Sequence, residues 1–99
     1  MTPAYAVSFA ESAVADLQEI RAWYANLEVP EVGERLLREI LDHVETLAMF
    51  PMSGRVVPEF GIAHLREVIH PPFRIVYRVD GVRVRIVRVW RSERVLKQP

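Results

Sequence analysis

Residues 73–90, FRIVYRVDGVRVRIVRVW, decide the fold of this chain. In the first half of this stretch large apolar residues alternate with arginine, and a period of two predicts a strand with one buried face. Asp80-Gly81 separates this run from a second run rich in Val and Ile, and Asp-Gly is typical of a two-residue hairpin turn. The stretch therefore predicts an antiparallel pair of strands. The residues expected to face the core are Phe73, Ile75, Tyr77 and Val79.

The first half of the chain predicts a short strand and two helices. Residues 4–9 alternate between small and large side chains, as a strand does. Ser8 and Glu11 match a capping box, so we expect a helix to begin there with Ser8 as its cap. Along this helix apolar residues recur every three or four positions, and Asp16 falls on the polar side. Pro30 suits the first turn of a second amphipathic helix.

The segment after the second helix predicts a loop and one more strand. Residues 50–60 contain two Pro and one Gly, which predicts a surface loop. Gly54 is expected to supply a positive φ within it. Residues 63–69 predict a strand that ends before Pro71 and Pro72. The resulting order, β-α-α-β-β-β, predicts one α+β domain: an antiparallel sheet, mostly from the second half, with the helical hairpin on one face.

Composition excludes several classes of protein. The 99 residues are 51% hydrophobic and contain no Cys, which favours a single globular domain over residues 1–99 without disulfides or thiolate metal sites. No apolar run approaches the roughly 20 residues that span a bilayer, and no signal sequence is visible, so a cytoplasmic protein is expected. The three His fall in different predicted elements, so we expect no metal site, and no motif indicates a cofactor.

Charge is distributed unevenly along the chain. Formal net charge is zero, but residues 1–54 carry three cations and nine acids, whereas residues 55–99 carry ten cations and four acids. Twelve of the thirteen cations are Arg, whose planar fork binds carboxylates and phosphates at two points. The basic half is expected to meet an acidic partner, or the two halves neutralise each other within the fold. The charge pattern leaves both interpretations open.

The arginines of the predicted sheet form a candidate anion-binding surface. Arg74 and Arg78 alternate with the core residues, so they are expected on the open face of the sheet. Arg66 on the neighbouring strand is expected to join them. Arg83, Arg85 and Arg88 do not share one parity, so at least one of them is expected to lie elsewhere.

Five motifs, spread in order over nearly the whole chain, resemble the ParE/RelE superfamily of bacterial toxins. They are Ala13-Val-Ala-Asp-Leu17, Pro51-Met-Ser-Gly-Arg55, Leu65-Arg-Glu67, Phe73-Arg-Ile-Val-Tyr-Arg-Val79 and Val87-Arg-Val-Trp-Arg-Ser-Glu-Arg94. The resemblance implies the β-α-α-β-β-β fold and a bacterial, cytoplasmic type II toxin that inhibits growth and serves in plasmid stabilization. It also implies a ParD-like antitoxin, whose disordered segment folds along the helices and sheet of the toxin.

Two activities compete within this superfamily. RelE-like members cut messenger RNA on the ribosome, whereas ParE-like members inhibit DNA gyrase. The resemblance places Arg74 at a phosphate-binding Arg of the ribonucleases and Arg66 near a catalytic Lys. Val68 and Ser92 fall where further Lys and Arg residues of those enzymes would align, and Trp90 stands where many relatives carry His.

The Pro51 to Arg55 loop and the Leu65 to Glu67 strand look more like ParE. We therefore favour a gyrase inhibitor that acts by binding and is not an enzyme. A ribosome-dependent endoribonuclease using Arg66 and Arg74 is the alternative. A toxin fold that only binds its antitoxin is a third reading.

Two binding surfaces follow from this interpretation. A partner helix is expected to pack on the helical hairpin while acidic side chains of the antitoxin meet Arg66, Arg74 and Arg78. The candidate residues for gyrase are Trp90, Arg91, Arg94 and Lys97, unless this tail merely packs on the sheet edge. We expect no direct sequence-specific binding of nucleic acid, because Tyr77 and Trp90 have the positions of packing residues rather than of exposed stacking platforms.

Overall fold

A computed structural model describes residues 4–92 of the chain. Its elements are β1 (Ala6–Phe9), α1 (Glu11–Asn26), α2 (Pro30–Thr46), β2 (Arg55–Val56), β3 (Leu65–His70), β4 (Phe73–Asp80) and β5 (Arg83–Arg91). The predicted order of helices and strands is confirmed. The structure adds the two-residue strand β2, which lies within the segment predicted to be a loop.

The five strands form one sheet in the order β1-β5-β4-β3-β2. Strands β3, β4 and β5 pair antiparallel, as predicted, and β2 adds to β3 in the same way. The prediction of an antiparallel sheet was wrong for β1, which pairs parallel with β5. The sheet is therefore mixed. Nearly the whole chain separates β1 from β5, so no tight turn imposes the antiparallel direction on this pair.

The hairpin between β4 and β5 turns one residue later than the sequence predicts. Asp80 pairs with Arg83, which leaves Gly81 and Val82 as the two turn residues. Gly81 has a φ of +57°, at the first central position of the turn, where a type II′ hairpin requires glycine.

A β-bulge in β5 changes which residues share a face. Val76 pairs with Arg88 and Tyr77 with Ile86, so Val87 has no partner on β4. The extra residue shifts the alternation by one position, so Val89 and not Arg88 joins Val84 and Ile86 on the buried face. Arg83, Arg85 and Arg88 consequently share the opposite face of the sheet. The prediction that their parity separates them was wrong because the bulge leaves no trace in the alternation of residue types.

The two helices cover the face of the sheet that carries Phe73, Ile75 and Tyr77, as predicted. The core is formed by Ala13, Ile20, Tyr24, Leu36, Leu37, Ile40, Val44, Leu47, Phe73, Ile75, Tyr77, Val84, Ile86 and Val89. Val79 is only partly buried and packs against this core. The other side of the sheet is called the open face below. Within residues 4–92, none of the helices has the length and apolar character needed to cross a membrane.

The start of α1 differs from the predicted capping box. The N-cap is Ala10, and no side chain caps the helix. Ser8 cannot cap it because β1 continues to Phe9 and holds Ser8 in the sheet, opposite Arg85.

Side chains of helix α1 instead form hydrogen bonds with the backbone at the edge of β5. Within residues 4–92, β5 has no strand partner on this side beyond Ile86. There the Ser12 hydroxyl donates to the carbonyl of Val87 at 2.7 Å, and Asp16 accepts from the Val89 amide at 2.8 Å. Asp16 is therefore buried, although the helical pattern places it on the polar side.

Candidate functional site

The register of β3 and β4 separates the three arginines of the predicted anion-binding surface. Arg66 lies opposite Tyr77, whereas Arg74 lies opposite Ile69. Residues directly opposite one another share a face, so Arg66 belongs to the helix-covered face and Arg74 and Arg78 to the open face. The expectation that Arg66 joins the other two was wrong, because Glu67 takes the open-face position on β3.

Arg74 lies in a cluster with Glu59, Glu67 and Arg55, which we call the Arg74 cluster; Arg74 and Glu67 are buried, whereas Glu59 and Arg55 are exposed. Its two Nη atoms donate to the carboxylate oxygens of Glu59 at 2.9 and 3.0 Å, and its Nε donates to Glu67 at 2.6 Å. The second oxygen of Glu67 accepts from Arg55 Nε at 2.6 Å. Glu67 and Arg74 are 1% and 2% exposed. The prediction of an accessible Arg74 was wrong, because the segment after β2 carries Glu59 over it.

Hydrogen bonding between Glu59 and Arg74 fixes the charge state of both groups. Hydrogen bonds from Arg74 lower the pKa of Glu59 to about 2. Hydrogen bonding to Glu59 is also the main reason that the pKa of Arg74 is raised. Both groups are therefore ionised at neutral pH, and the positive charge of Arg74 is balanced inside the chain.

Arg66 holds the loop that follows α2. Its Nη1 donates to the Gly54 carbonyl at 2.9 Å. The Gly54 amide donates to the Tyr77 hydroxyl at 2.9 Å, and this hydroxyl donates to the carbonyl of Pro51 at 2.8 Å. Burial raises the pKa of Tyr77. Arg66 and Tyr77 thus act together as anchors of the loop.

Gly54 is required in this loop by space and not by its backbone angle. A Cβ atom there would lie 2.5 Å from the carbonyl oxygen of Glu67 and 2.6 Å from the Tyr77 hydroxyl. Within residues 4–92, the glycines with positive φ are Gly61 and Gly81. The expectation that Gly54 supplies a positive φ was therefore wrong.

The exposed arginines of the open face are Arg78, Arg83 and Arg85, and we call them the open-face arginines. Arg78 lies directly opposite Arg85, and Arg83 lies opposite Asp80. Arg78 Nε is 3.2 Å from the Asp80 carboxylate, and both side chains are at least half exposed. Like charges directly opposite each other are unfavourable, so this surface favours an anionic partner. Sequence reasoning did not assign Arg83 and Arg85 to this surface, although their spacing of two residues places both on one face of β5, opposite Asp80 and Arg78.

A groove of about 300 Å³ lies between α1 and the end of β5, and we call it the α1–β5 groove. Its walls include Trp23, Phe73, Trp90 and Arg91. The guanidinium of Arg91 lies 5.7 Å from the Trp23 ring centroid and 5.5 Å from that of Phe73. Trp90 and Arg91 thus line one groove, whereas Arg94 and Lys97 lie outside the described residues.

Trp23 is the member of this groove that the sequence did not single out. The helical period assigns it to the margin of the core, but 53% of it is exposed. An exposed Trp beside basic residues is a signal that could have identified it.

One Arg–carboxylate pair, among residues 4–92, joins the acidic and basic halves of the chain. Arg88 donates to both oxygens of Asp16 at 2.8 and 3.0 Å. These hydrogen bonds raise the pKa of Arg88. The Arg88 guanidinium also lies 5.0 Å from the Trp90 ring centroid. Neutralisation between the two halves thus accounts for little of their charge asymmetry.

A second groove, of about 470 Å³, runs between β1 and α2, and we call it the β1–α2 groove. It is lined by Tyr5, Val7, Phe9, Leu41, Asp42, Val44, Glu45 and Ala48. Leu41 is 44% exposed, so an apolar residue of the helical hairpin is accessible here.

Comparison with protein families identifies the class to which this fold and these surfaces belong. The family model described as the ParE toxin of the type II toxin-antitoxin system, parDE, matches residues 7–96. The chain therefore belongs to the ParE toxin family, as its five motifs indicate.

Solved structures with this fold come from both branches of the superfamily. The chromosomal ParDE system from P. aeruginosa matches with a TM-score of 0.75 and 26% identity, covering 88% of this chain and 95% of that one. The RelBE2 toxin-antitoxin complex from Mycobacterium tuberculosis matches with a TM-score of 0.68 and 22% identity, covering 93% and 97%. A variant of the E. coli toxin RelE in the free state has a TM-score of 0.67 and 16% identity, covering 92% and 86%. Among curated proteins, none matches the chain significantly.

Proposed function

We propose that this toxin inhibits DNA gyrase by binding it, and that a cognate ParD-like antitoxin neutralises it. The observation that carries the choice of binding over cleavage is the separation of Arg66 and Arg74. Arg66 lies opposite Tyr77 on the helix-covered face, and Arg74 lies opposite Trp90 on the open face.

This separation argues against a RelE-type ribonuclease. Cleavage of RNA requires groups that converge on one phosphate to move protons and to stabilise developing charge. The Nε and both Nη atoms of Arg74 already donate to carboxylates, and Arg66 holds the Gly54 loop. The two arginines that a ribonuclease would use therefore serve the fold, which supports inhibition by binding.

The α1–β5 groove is the surface that we assign to gyrase. Trp and Arg are the residues that most often dominate binding energy at protein interfaces. Trp23, Trp90 and Arg91 line this groove, and Trp23 is largely exposed. The tail residues Arg94 and Lys97 follow directly in sequence and extend the same basic segment.

The antitoxin is assigned to two other surfaces. The β1–α2 groove offers an apolar channel to one face of a partner helix. The open-face arginines offer positive charge to an acidic segment. Arg66 and Arg74, also predicted as antitoxin residues, support this sheet from within: Arg66 through the Gly54 loop and Arg74 through Glu59 and Glu67.

Plasmid supercoiling by purified gyrase tests the proposed target. We expect the untagged full chain to abolish supercoiling in a dose-dependent way. Trp23→Ala and Trp90→Ala should each raise the half-inhibitory concentration at least tenfold, about 1.4 kcal/mol, as truncated interface hot spots do. Arg38→Ala is the matched control, because Arg38 is an exposed cation on α2 that lines neither groove.

Other outcomes identify the alternatives. Unimpaired supercoiling by gyrase, together with cleavage of mRNA on ribosomes, would replace this proposal with the RelE-type activity. If the folded chain shows neither activity but still binds its antitoxin, binding of the antitoxin would be its function. Deleting residues 91–99 tests the tail: full inhibition by a folded truncated chain would remove Arg91, Arg94 and Lys97 from the gyrase surface.

A further inference from the structure

Two histidines and a glutamate meet where the end of β3 packs against α2. The Nδ1 atoms of His43 and His70 are 3.2 Å apart, and the Nε2 of His70 is 3.2 Å from the Glu39 carboxylate. Glu39 and His43 are one turn apart on α2, so both ring nitrogens of His70 face the same helix. Neither the gyrase surface nor the antitoxin surface uses these residues.

The carboxylate of Glu39 determines which nitrogen of His70 can act as a ligand. An ionised carboxylate only accepts hydrogen bonds, so in the neutral ring the proton sits on the Nε2 of His70 and the Nδ1 presents a lone pair toward His43. A histidine whose second nitrogen donates to a carboxylate is the usual arrangement of a metal-bound imidazole.

We propose that His43 and His70 bind a divalent transition metal ion of the zinc class through their Nδ1 atoms, with Glu39 as the orienting carboxylate. Two nitrogen ligands of a tetrahedral ion, each about 2.0–2.1 Å from it, are about 3.3–3.4 Å apart. The observed 3.2 Å comes within about 0.2 Å of that separation, so a small rotation of the rings admits the ion. The proton on the Nδ1 of His43 then moves to its Nε2, and the ring stays neutral.

The site has open coordination positions. Within residues 4–92, no group of three or more His, Asp or Glu side chains is arranged to hold a metal ion. Water therefore completes the coordination of an ion held by the two imidazoles. Because the ion bridges β3 and α2 only in the folded chain, its binding stabilises the folded state. The inference is independent of the proposed inhibition of gyrase.

Calorimetric titration of the untagged full chain with Zn²⁺ tests the site. The chain has three His and no Cys, so few other side chains compete for the ion. We expect one Zn²⁺ per chain, and His43→Ala or His70→Ala should weaken binding at least tenfold. Glu39→Gln keeps both imidazoles and should weaken binding about 10- to 100-fold, as loss of an orienting carboxylate does. His64→Ala is the matched control and should leave binding unchanged, because His64 is exposed and precedes β3.

A second measurement needs no variant. In nitrogen-15 spectra of the unmodified chain, Zn²⁺ should shift the ring signals of His43 and His70 and leave those of His64 in place. Absence of saturable binding would overturn the proposal. So would equal weakening by His64→Ala, or ring signals of His43 and His70 that do not move at saturating Zn²⁺.

Discussion

Arg74 and Arg78 lie four residues apart on β4 and on the same face of the sheet, yet their surroundings are opposite. The side chain of Arg74 is 3% exposed and is bound by two carboxylates, whereas that of Arg78 is 50% exposed beside Asp80. The strand pattern places both on the open face and treats them alike. What separates them is the loop after β2, which carries Glu59 over one end of the strand and leaves the other end uncovered.

The difference predicts two kinds of energetic contribution. Removing one partner of a buried ion pair leaves an uncompensated charge and costs about 3–5 kcal/mol. An exposed pair contributes about 0–1 kcal/mol, because water and salt screen it. Arg74 is therefore a structural residue, and Arg78 is available for a partner.

Replacement of Glu67 should have the largest effect on the free energy of unfolding. Glu67→Gln removes the carboxylate that joins Arg74 to Arg55, so we expect a loss near the lower end of about 3–5 kcal/mol, since Arg74 keeps Glu59. Urea unfolding at pH 7 measures this loss. The matched control is Asp80→Asn beside Arg78, with an expected loss of at most about 1 kcal/mol. Equal losses in the two variants would contradict the distinction drawn here.

Replacement of Asp16 should have the next largest effect. Asp16→Ala removes both hydrogen bonds to Arg88 and leaves the Val89 amide without its acceptor. We expect the free energy of unfolding to fall by about 2–3 kcal/mol. Glu19→Ala, an exposed acid on the same helix, should change it by no more than about 0.5 kcal/mol. If Asp16→Ala unfolds at the same urea concentration as Glu19→Ala, the edge of β5 does not depend on Asp16.

A smaller effect is expected from Glu59, and it depends on pH. Because its pKa falls from the ordinary 4.5 to about 2 in the folded chain, folding favours the ionised carboxylate. The stability that this pair contributes is fully present above about pH 4.5 and is lost as pH falls toward about 2. Urea unfolding of the unmodified chain and of Glu59→Gln, from pH 7 down to pH 2, measures it. The difference between their free energies of unfolding should be constant above pH 5 and should decrease below pH 4.5. A difference that increases in acid would contradict the stabilising role of the ionised Glu59.

Much of the fold could be predicted from periodicity and turn residues. The alternation in residues 73–79, Pro30 at the start of α2 and the apolar spacing of both helices all identify their elements correctly. These signals are local, because the spacing of apolar residues within one helix or strand identifies the face that it buries. The five motifs add the family, which the family model confirms.

The candidate surfaces depend on long-range pairing and could be predicted only in part. The bulge at Val87 places Arg88 on the same face as Arg83 and Arg85. The pattern of residue types around Val87 does not predict a bulge. Glu59 lies 15 residues before Arg74, in a segment without periodicity, so their contact is visible only in three dimensions. Asp16 matches a polar helix position by pattern, but it is buried because it accepts a hydrogen bond from the Val89 amide, where β5 lacks a strand partner among residues 4–92.

The smallest change in stability, and the sharpest test of the open face, is expected from Arg85→Ala. Arg85 is exposed, and its Nη1 donates a long hydrogen bond of 3.4 Å to the Ser8 hydroxyl, so the free energy of unfolding should change by at most about 0.5 kcal/mol. Affinity for the antitoxin should nevertheless fall about tenfold, because an interface Arg is lost. The loss should diminish with added salt, since salt screens the attraction between an exposed Arg and an acidic partner. Calorimetry at two salt concentrations measures both effects, with Arg38→Ala as the control. Unchanged affinity at low salt would remove Arg85 from the antitoxin surface.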